Sequence, residues 1–164
     1  MARFLRSFGK VIFNRQRFGA VVSAAITGTI TASTTEADIV TGGKTIIITL
    51  TGDTWVASGG TFDGQRQNII NGIDSAQAEG TGWDAVVKAL QGVAGVARTS
   101  DTVVTITLDA QATYDITAQE TITVTVPATA VVLGNAIVAS PTFTVYTSGG
   151  GIIQQFLTML GVGS

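Results

Sequence analysis

The sequence predicts a mainly β fold, and two observations support this prediction. Thr102–Val126 contains two runs in which apolar residues alternate with threonines, and a period of two is typical of half-buried strands. Thr45–Val56 contains a similar run, and glycine-rich segments that favour turns lie between the runs. Each run has one apolar face, so we expect a second sheet or a helix to cover that face.

The composition excludes most catalytic chemistry. The 164 residues suit one domain with appendages, and they include no cysteine and no histidine. Thiol catalysis, thiolate metal sites and a Ser–His–Asp triad are therefore excluded. A carboxylate or lysine enzyme stays open, but no cleft signal accompanies it. We predict a protein that is not an enzyme and has no catalytic, cofactor-binding or metal site.

The charge is low and unevenly distributed. Charged residues make up 12% of the chain, against about 25% in ordinary domains, and a weakly charged surface is common in proteins that pack into larger assemblies. Five of the nine basic residues lie in the first 18 positions and the first acid is Glu36, so the rest of the chain carries four basic and eleven acidic residues, a net charge of −7.

Residues 1–19 are predicted to form a basic, aromatic N-terminal arm. Four of the seven phenylalanines lie there, and so much aromatic surface favours packing against the body or a neighbour. An acidic protein surface is the expected partner; nucleic acid, a membrane or a merely solvated tail are the alternatives. The predicted contact residues are Arg3, Phe4, Arg6, Phe8, Phe13, Arg15, Arg17 and Phe18.

A signal peptide is a second interpretation of the N-terminus. Arg15–Arg17 precedes the apolar run Phe18–Ile26, and Val22–Ala24 resembles a cleavage pattern of small residues. The apolar run is short, however, and merges into residues that favour a strand. No run approaches the length of a transmembrane helix.

The body, residues 20–147, begins with two predicted strands. Ala20–Ala32 is the first, and Ser33–Glu36 is a polar turn. Thr41–Lys44 then resembles a hairpin turn. Thr45–Val56 is the second strand, and apolar residues on both of its faces predict that it is central and covered on both sides.

A helical insertion is predicted at about residues 62–91, where the apolar period changes. Asp63–Ala76 fits an amphipathic helix of three turns, with Phe62 as a hydrophobic staple. A second helix follows Thr81, its predicted N-cap. Its apolar stripe has the helical spacing i, i+3, i+4, i+7 and comprises Trp83, Val86, Val87 and Leu90.

The remaining strands complete the body. Val93–Arg98 is a short strand, and the two runs of Thr102–Val126 are predicted to form a strand pair. Tyr114 precedes the second run, a position that fits either the tyrosine corner of sandwich folds or an ordinary half-buried tyrosine. Ala136–Tyr146 is the last strand, and Pro141 predicts that it lies at a sheet edge.

Residues 148–164 are predicted to form a glycine hinge and a short apolar segment. Nine residues cannot hold a helix alone in water, so this segment must pack on its own body or on another subunit. Its apolar face comprises Ile152, Ile153, Phe156, Leu157 and Leu160.

No pattern in the sequence defines a site. Gly42–Thr45 is like the end of a phosphate-binding loop, but the upstream glycine is missing and a strand follows. Trp55 and Trp83 could stack on sugars, although core packing is the more common role. Some acids are candidate cation ligands, namely Glu36, Asp38, Asp53 and Asp63, but none has calcium-loop spacing.

Three blocks of the sequence resemble a known group of proteins. They are Glu36–Trp55 (EADIVTGGKTIIITLTGDTW), Thr99–Val145 (with SDTVVTITL, YDITAQETITVTVP and SPTFTV) and the N-terminal GKVIFNRQRFGAVVSAAITGTITAS. Together they are similar to small, mostly uncharacterised proteins of tailed bacteriophages and prophages that have an immunoglobulin-like β-sandwich. The resemblance covers most of the chain, but its motifs are strands and turns, so it transfers no functional residue.

The resemblance implies a virion component with an immunoglobulin-like antiparallel sandwich, and the residue patterns add a helical insertion and contact segments at both ends. The expected role is a capsid decoration or cement protein, located in the phage particle. The expected partners are the major capsid protein and further copies of the chain, without membrane or nucleic acid. Two alternatives stay open: a tail or head-fibre adhesin that binds a host glycan, and a secreted cell-surface domain.

Overall fold

The computed structural model describes residues 25–30, 34–134 and 140–148. Seven strands lie in these ranges: β1 Ala25–Ile30, β2 Thr45–Thr51, β3 Ile73–Ser75, β4 Val96–Arg98, β5 Val103–Thr107, β6 Glu120–Val124 and β7 Thr142–Val145. They form two antiparallel sheets, one with the order β1-β2-β5-β4 and one with the order β3-β6-β7. The prediction of a mainly β fold is confirmed.

Short helices lie between the strands. Their ranges are α1 Glu36–Thr41, α2 Gly60–Asp63, α3 Arg66–Asn71, a π-helix at Trp83–Lys88, and 3₁₀ turns at Val93–Gly95 and Ala128–Ala130. The second half of the predicted helical insertion is therefore a π-helix.

One hydrophobic core contains residues from both sheets. Ile46 and Ile48 of β2 are fully buried in it, as are Ile122 and Val124 of β6. β2 lies between β1 and β5, so the prediction of a central strand is confirmed. One face of β2 is fully buried, whereas Ile47 on the other face is only half-buried.

The prediction that the two runs of Thr102–Val126 pair with each other is wrong. β5 pairs with β2 and β4, whereas β6 pairs with β3 and β7 in the other sheet. Two strands that each have one apolar face can bury both faces if they lie in opposite sheets. The alternation therefore predicted the strands and their buried faces, but it could not predict their partners.

Of the polar turn predicted at Ser33–Glu36, Thr35 caps a helix and Glu36 begins it, while Ser33 lies outside the described residues. The Thr35 side chain accepts a hydrogen bond from the Asp38 N–H, and Asp38 accepts one from the Thr35 N–H at 2.9 Å, which makes a capping box. Ile39 anchors α1 in the core. The chain then turns through Gly42 into β2.

The helix predicted at Asp63–Ala76 is interrupted. α2 and α3 form separately, and residues 73–75 form β3. Gly72 ends α3 next to Thr125, whose N–H donates to the Gly72 carbonyl at 2.6 Å. Because Ile73 gains a strand partner in Val124, the ladder replaces the last helical turn.

The predicted stripe of the second helix is confirmed in part. Trp83, Val86 and Val87 are buried, but Leu90 is 62% exposed. A π-helix closes i→i+5 hydrogen bonds, so a residue seven positions along does not return to the same face. The predicted cap is wrong as well, since Gly82 is the N-cap and the Thr81 hydroxyl donates to the Asp115 carbonyl.

The last predicted strands are shorter than expected. The segment Val93–Arg98 begins as a 3₁₀ turn and only its last three residues form β4. β7 begins directly after Pro141 and lies at the end of its sheet, so the edge prediction is confirmed. Residues 20–24, 31–32 and 136–139 of the predicted strands lie outside the described ranges.

The two sheets meet at one corner of the body. There Thr35 and Tyr146 form a parallel bridge, the Glu36 N–H donates to the Tyr146 carbonyl at 2.8 Å, and the Tyr146 N–H donates to the Thr34 carbonyl at 3.0 Å. Elsewhere the π-helix contacts the second sheet, since Trp83 Nε1 donates to the Ile73 carbonyl of β3 at 3.2 Å.

Candidate functional site

The predicted assembly contacts all lie outside the described residues. They occupy positions 3–18 and 152–160, and the description begins at residue 25 and ends at residue 148. Their contacts therefore stay predictions, and so do the boundaries of the arm and of the C-terminal segment.

The structure does show where these segments join the body. β1 starts at Ala25, which pairs with Thr51. At the other end of the chain, the Ser148 N–H donates to the Glu36 carboxylate at 3.0 Å. Ala25 and Ser148 are therefore the described residues that lie nearest in sequence to the two segments.

Both tryptophans are core residues. Trp55 and Trp83 are each 1% exposed. Trp55 packs edge-on against Phe62 with ring centroids 6.4 Å apart, and Trp83 packs in the same way against Phe143 at 5.6 Å. Neither indole face is open to solvent, so the glycan interpretation loses the two residues on which it depends.

Asp53 is buried and bonded to the backbone of a loop, so it is not available as a surface cation ligand. The carboxylate is buried and accepts hydrogen bonds from the N–H of Thr54 at 2.7 Å and of Leu133 at 3.1 Å. It therefore ties the end of β2 to the loop that follows the last 3₁₀ turn.

The other candidate cation ligands also have internal partners. Glu36 accepts the hydrogen bond from Ser148 described above. Asp38 pairs with Lys44 at 3.1 Å, and the Thr35 backbone hydrogen bond lowers the pKa of Asp38 below its ordinary value. Asp63 pairs with Arg66 at 2.7 Å. Within residues 34–134 and 140–148, no three metal-ligating side chains converge.

A buried acid that the sequence analysis missed lies between the second sheet and the π-helix. Glu120 is only 4% exposed. Its carboxylate accepts hydrogen bonds from the Tyr114 hydroxyl at 2.8 Å and from the Trp83 N–H at 3.1 Å. Burial raises the pKa of Glu120, and the negative charge of Glu79 raises it further. Burial also raises the pKa of Tyr114.

Glu79 completes this group. Its carboxyl faces the same glycine as the Glu120 carboxyl, and its negative charge is one cause of the raised pKa of Glu120. Both of its oxygens are inaccessible to solvent, and neither has a hydrogen-bond partner among the described residues. A methyl group built on Gly82 would collide with one oxygen of each glutamate, so the two carboxyls converge on this glycine. We call Glu79, Glu120 and Tyr114 the acid cluster.

One signal in the sequence does point to Glu120. The period of two places it on the same face as Ile122 and Val124, which is the core face. Glu79 has no such signal, because it lies in an irregular segment. The burial of Tyr114 corrects the expectation of a half-buried residue, and its bond to a side chain differs from the backbone bond of a tyrosine corner.

Gln91 is a second buried polar residue that the sequence analysis missed. Its side-chain amide donates to the Thr107 carbonyl at 2.9 Å and accepts from the Asp109 N–H at 3.0 Å. It thereby satisfies two backbone groups at the end of β5 and joins that strand to the end of the helical segment. This role stabilises the fold and provides no reactive group.

Apolar side chains are also exposed on the described body. The large ones are Leu90, Val93, Val132, Leu133 and Tyr146. Scattered exposed apolar residues are common on monomers, so they define no groove by themselves. No helix in the described part of the chain is long and apolar enough to cross a membrane.

Comparison with family models, with curated proteins and with solved structures gave no match.

Proposed function

We propose that this protein is a structural component of a bacteriophage particle, most specifically a capsid decoration protein held by its two terminal segments. The observation that carries the proposal is the separation of charge. The first 18 residues carry a net charge of +5 and four of the seven phenylalanines, whereas the rest of the chain carries −7.

The basic side chains of the body form ion pairs with acids of the same body. Each of the four lysines and arginines after residue 18 forms an ion pair with a neighbouring acid, and these pairs are Lys44–Asp38, Arg66–Asp63, Lys88–Asp74 and Arg98–Asp101. The surplus on the body is therefore acidic. A basic arm and an acidic body suit contacts between copies, since the arm of one copy complements the surface of the next.

We assign the body to the immunoglobulin-like sandwiches, and the strand order supports this assignment. In a constant-type immunoglobulin domain, the first, second, fifth and fourth strands form one sheet, and the third, sixth and seventh form the other. The described strands follow the same order, β1-β2-β5-β4 and β3-β6-β7. The π-helix lies in the connection between the third and fourth strands, whereas α2 and α3 lie between the second and third.

The holding mechanism combines apolar burial with charge pairing. Burial of a phenylalanine stabilises by roughly 1.5–3 kcal/mol, so Phe4, Phe8 and Phe13 together provide enough free energy to hold a subunit. The arginines of the arm would pair with acidic capsid surface. The C-terminal face around Phe156 and Leu160 would pack on a second neighbour, and repeated copies add avidity.

Particle composition tests the proposal. Intact particles of the phage or prophage that encodes the chain, and separated heads and tails, would be analysed by quantitative mass spectrometry. Many copies in the head fraction are expected. A few copies in tails alone would overturn the decoration role, and absence from particles would overturn the virion assignment.

Paired variants test the arm. Replacing Arg3, Arg6, Arg15 and Arg17 by glutamate should abolish incorporation into particles, whereas replacing the same four by lysine should largely preserve it, because the charge is kept. Binding of the wild type should weaken as salt is raised, since exposed charges are screened over about 10 Å at 0.1 M. Normal incorporation of the glutamate variant would refute the role of the arm.

A further inference from the structure

Two acidic side chains meet in a place where two negative charges cannot be accommodated without cost. Glu120 is buried and held by Tyr114 and the Trp83 N–H, so it cannot turn away from Glu79 without losing both bonds. Glu79 has two solvent-inaccessible oxygens without a hydrogen-bond partner among the described residues. An unpaired buried carboxylate is strongly destabilising, and two adjacent ones repel each other.

A shared proton resolves both problems. If one carboxyl of the pair is protonated, it donates a hydrogen bond to the other. The pair then carries one charge instead of two, and Glu79 gains its missing partner. We infer that Glu79 and Glu120 share one proton in the folded protein, and that loss of this proton loosens the segment of residues 76–82 from β6.

The charged groups around the pair favour retention of the proton. Burial of Glu120 and the negative charge of Glu79 raise its pKa, and they outweigh the hydrogen bonds from Tyr114 and the Trp83 N–H, which favour the charged form. The nearby π-helix carries Asp84 and Lys88, but Lys88 is engaged by Asp74 at 2.7 Å and by Asp84 at 3.6 Å. The other cations among residues 34–134 pair elsewhere, as described above, so none of them neutralises the cluster.

The segment that would be released is held by hydrogen bonds to β6 and, through Thr81, to the Asp115 backbone. The Ala76 N–H donates to the Thr121 carbonyl at 3.1 Å, and Gln77 accepts from the Thr121 N–H at 2.9 Å. Further along the segment, the carboxyls of Glu79 and Glu120 converge on Gly82. Repulsion between the two carboxylates therefore acts on the point where residues 76–82 join the sheet.

The sign of the pH effect follows from proton linkage. The pKa of Glu120 is raised above its ordinary value of 4.5 in the folded state. The folded state then binds the proton more tightly than the unfolded state, so this contribution to stability is complete below the ordinary pKa. It is lost as the pH rises through the raised, folded-state value. Residues 76–82 are therefore held against β6 at acid pH and loosened from it at alkaline pH.

The test is urea unfolding of the full chain from about pH 4 to about pH 9, which spans the ordinary and the raised carboxyl pKa. One linked proton makes the unfolding constant rise by up to about tenfold per pH unit. Wild type should show this rise above the ordinary carboxyl pKa. Glu79→Gln should reduce this rise, because only burial then raises the pKa of Glu120. The variant should also be more stable than wild type at the alkaline end, because an amide donates to Glu120 without a charge.

Glu36→Gln is the matched control, because it removes a nearby carboxylate that is not part of the pair, and the rise should persist in it. Hydrogen exchange at residues 76–83, corrected for intrinsic rates, should quicken with pH more steeply in wild type than in Glu79→Gln. A flat wild-type profile, or an unchanged rise in Glu79→Gln, would overturn the shared proton. So would stabilisation by calcium at alkaline pH that Glu79→Gln abolishes, since a cation would then hold the pair.

The inference is independent of the proposed function. Its readouts are unfolding and hydrogen exchange of the isolated chain, and they need no particle.

Discussion

Single residues decide where the elements of this body begin and end, and Gly72 is the clearest case. It lies at the end of α3 and one residue before β3. A methyl group at this position would collide with the Thr125 backbone carbonyl. Thr125 directly follows β6, and its N–H donates to the Gly72 carbonyl at 2.6 Å, so its backbone has little room to move.

Replacement of Gly72 by alanine should therefore destabilise the protein by about 1–3 kcal/mol, the usual cost of forcing an extra group into a packed site. Gly64→Ala is the control, because a methyl group there would meet its nearest atoms at 3.5 and 3.6 Å, which is ordinary contact. That variant should be neutral or stabilising by about 0.4–1 kcal/mol. Urea unfolding measures both, and equal effects at the two positions would contradict the close approach.

At the scale of elements, the first helix depends on its cap more than on its length. α1 has only six residues, and its capping box joins Thr35 to Asp38, which also pairs with Lys44. The same residues stand at the corner where Thr35 bridges to Tyr146. A short helix at this corner orders the entrance to β2 and places Ile39 in the core.

Asp38→Asn should cost about 0.5–2 kcal/mol at neutral pH, as other cap losses do. The pKa of Asp38 is lowered in the folded state, so its contribution is present above the ordinary value of 3.8 and is lost as the pH falls through the folded value. The difference in the free energy of unfolding between wild type and variant should shrink in acid.

Asp101→Asn is the control, because its side chain is 79% exposed, and it should change stability by less than about 0.5 kcal/mol. A pH-independent difference for Asp38→Asn would contradict the charged cap.

The two pH effects have opposite signs. Asp38 stabilises more as its proton is lost, whereas the acid cluster stabilises more while its proton is kept. The Asp38 effect lies at the acid end of the pH range and the cluster effect lies above the ordinary carboxyl pKa. A pH profile of the free energy of unfolding therefore distinguishes the contribution of the Asp38 cap from that of the proton shared by Glu79 and Glu120.

At the scale of the whole molecule, the described core extends from Ile39 to Val145. Both sheets contribute residues to this core, and β1 pairs with one edge of β2. We therefore expect the body to fold without the first 18 residues but not without β1.

Deletion of residues 1–18 should lower the thermal midpoint by less than about 4 °C, which corresponds to about 1 kcal/mol for a domain of this size. Deletion of residues 1–31 is the matched control. It removes β1, exposes the edge of β2, and should cause unfolding or aggregation. Differential scanning calorimetry and light scattering measure both. Equal loss of stability in the two deletions would place the N-terminal segment in the fold and contradict its proposed role as an assembly arm.

The sequence by itself determined the features that local patterns encode. The period of two predicted the strands around Ile46, Val104 and Ile122 together with their buried faces. The absence of cysteine and histidine excluded whole classes of chemistry, and the charge asymmetry separated the first 18 residues from the rest of the chain.

Only the tertiary structure decided the features that depend on distant partners. It separated β5 from β6, ended α3 at Gly72 and brought Glu79 to Glu120. The physical reason is that periodicity reports which face of an element is apolar, whereas pairing and buried polar contacts depend on groups far apart in the chain. Glu120 illustrates both points. The alternation of apolar residues places it on the core face, but its hydrogen-bond partners Tyr114 and Trp83 are known only from the tertiary structure.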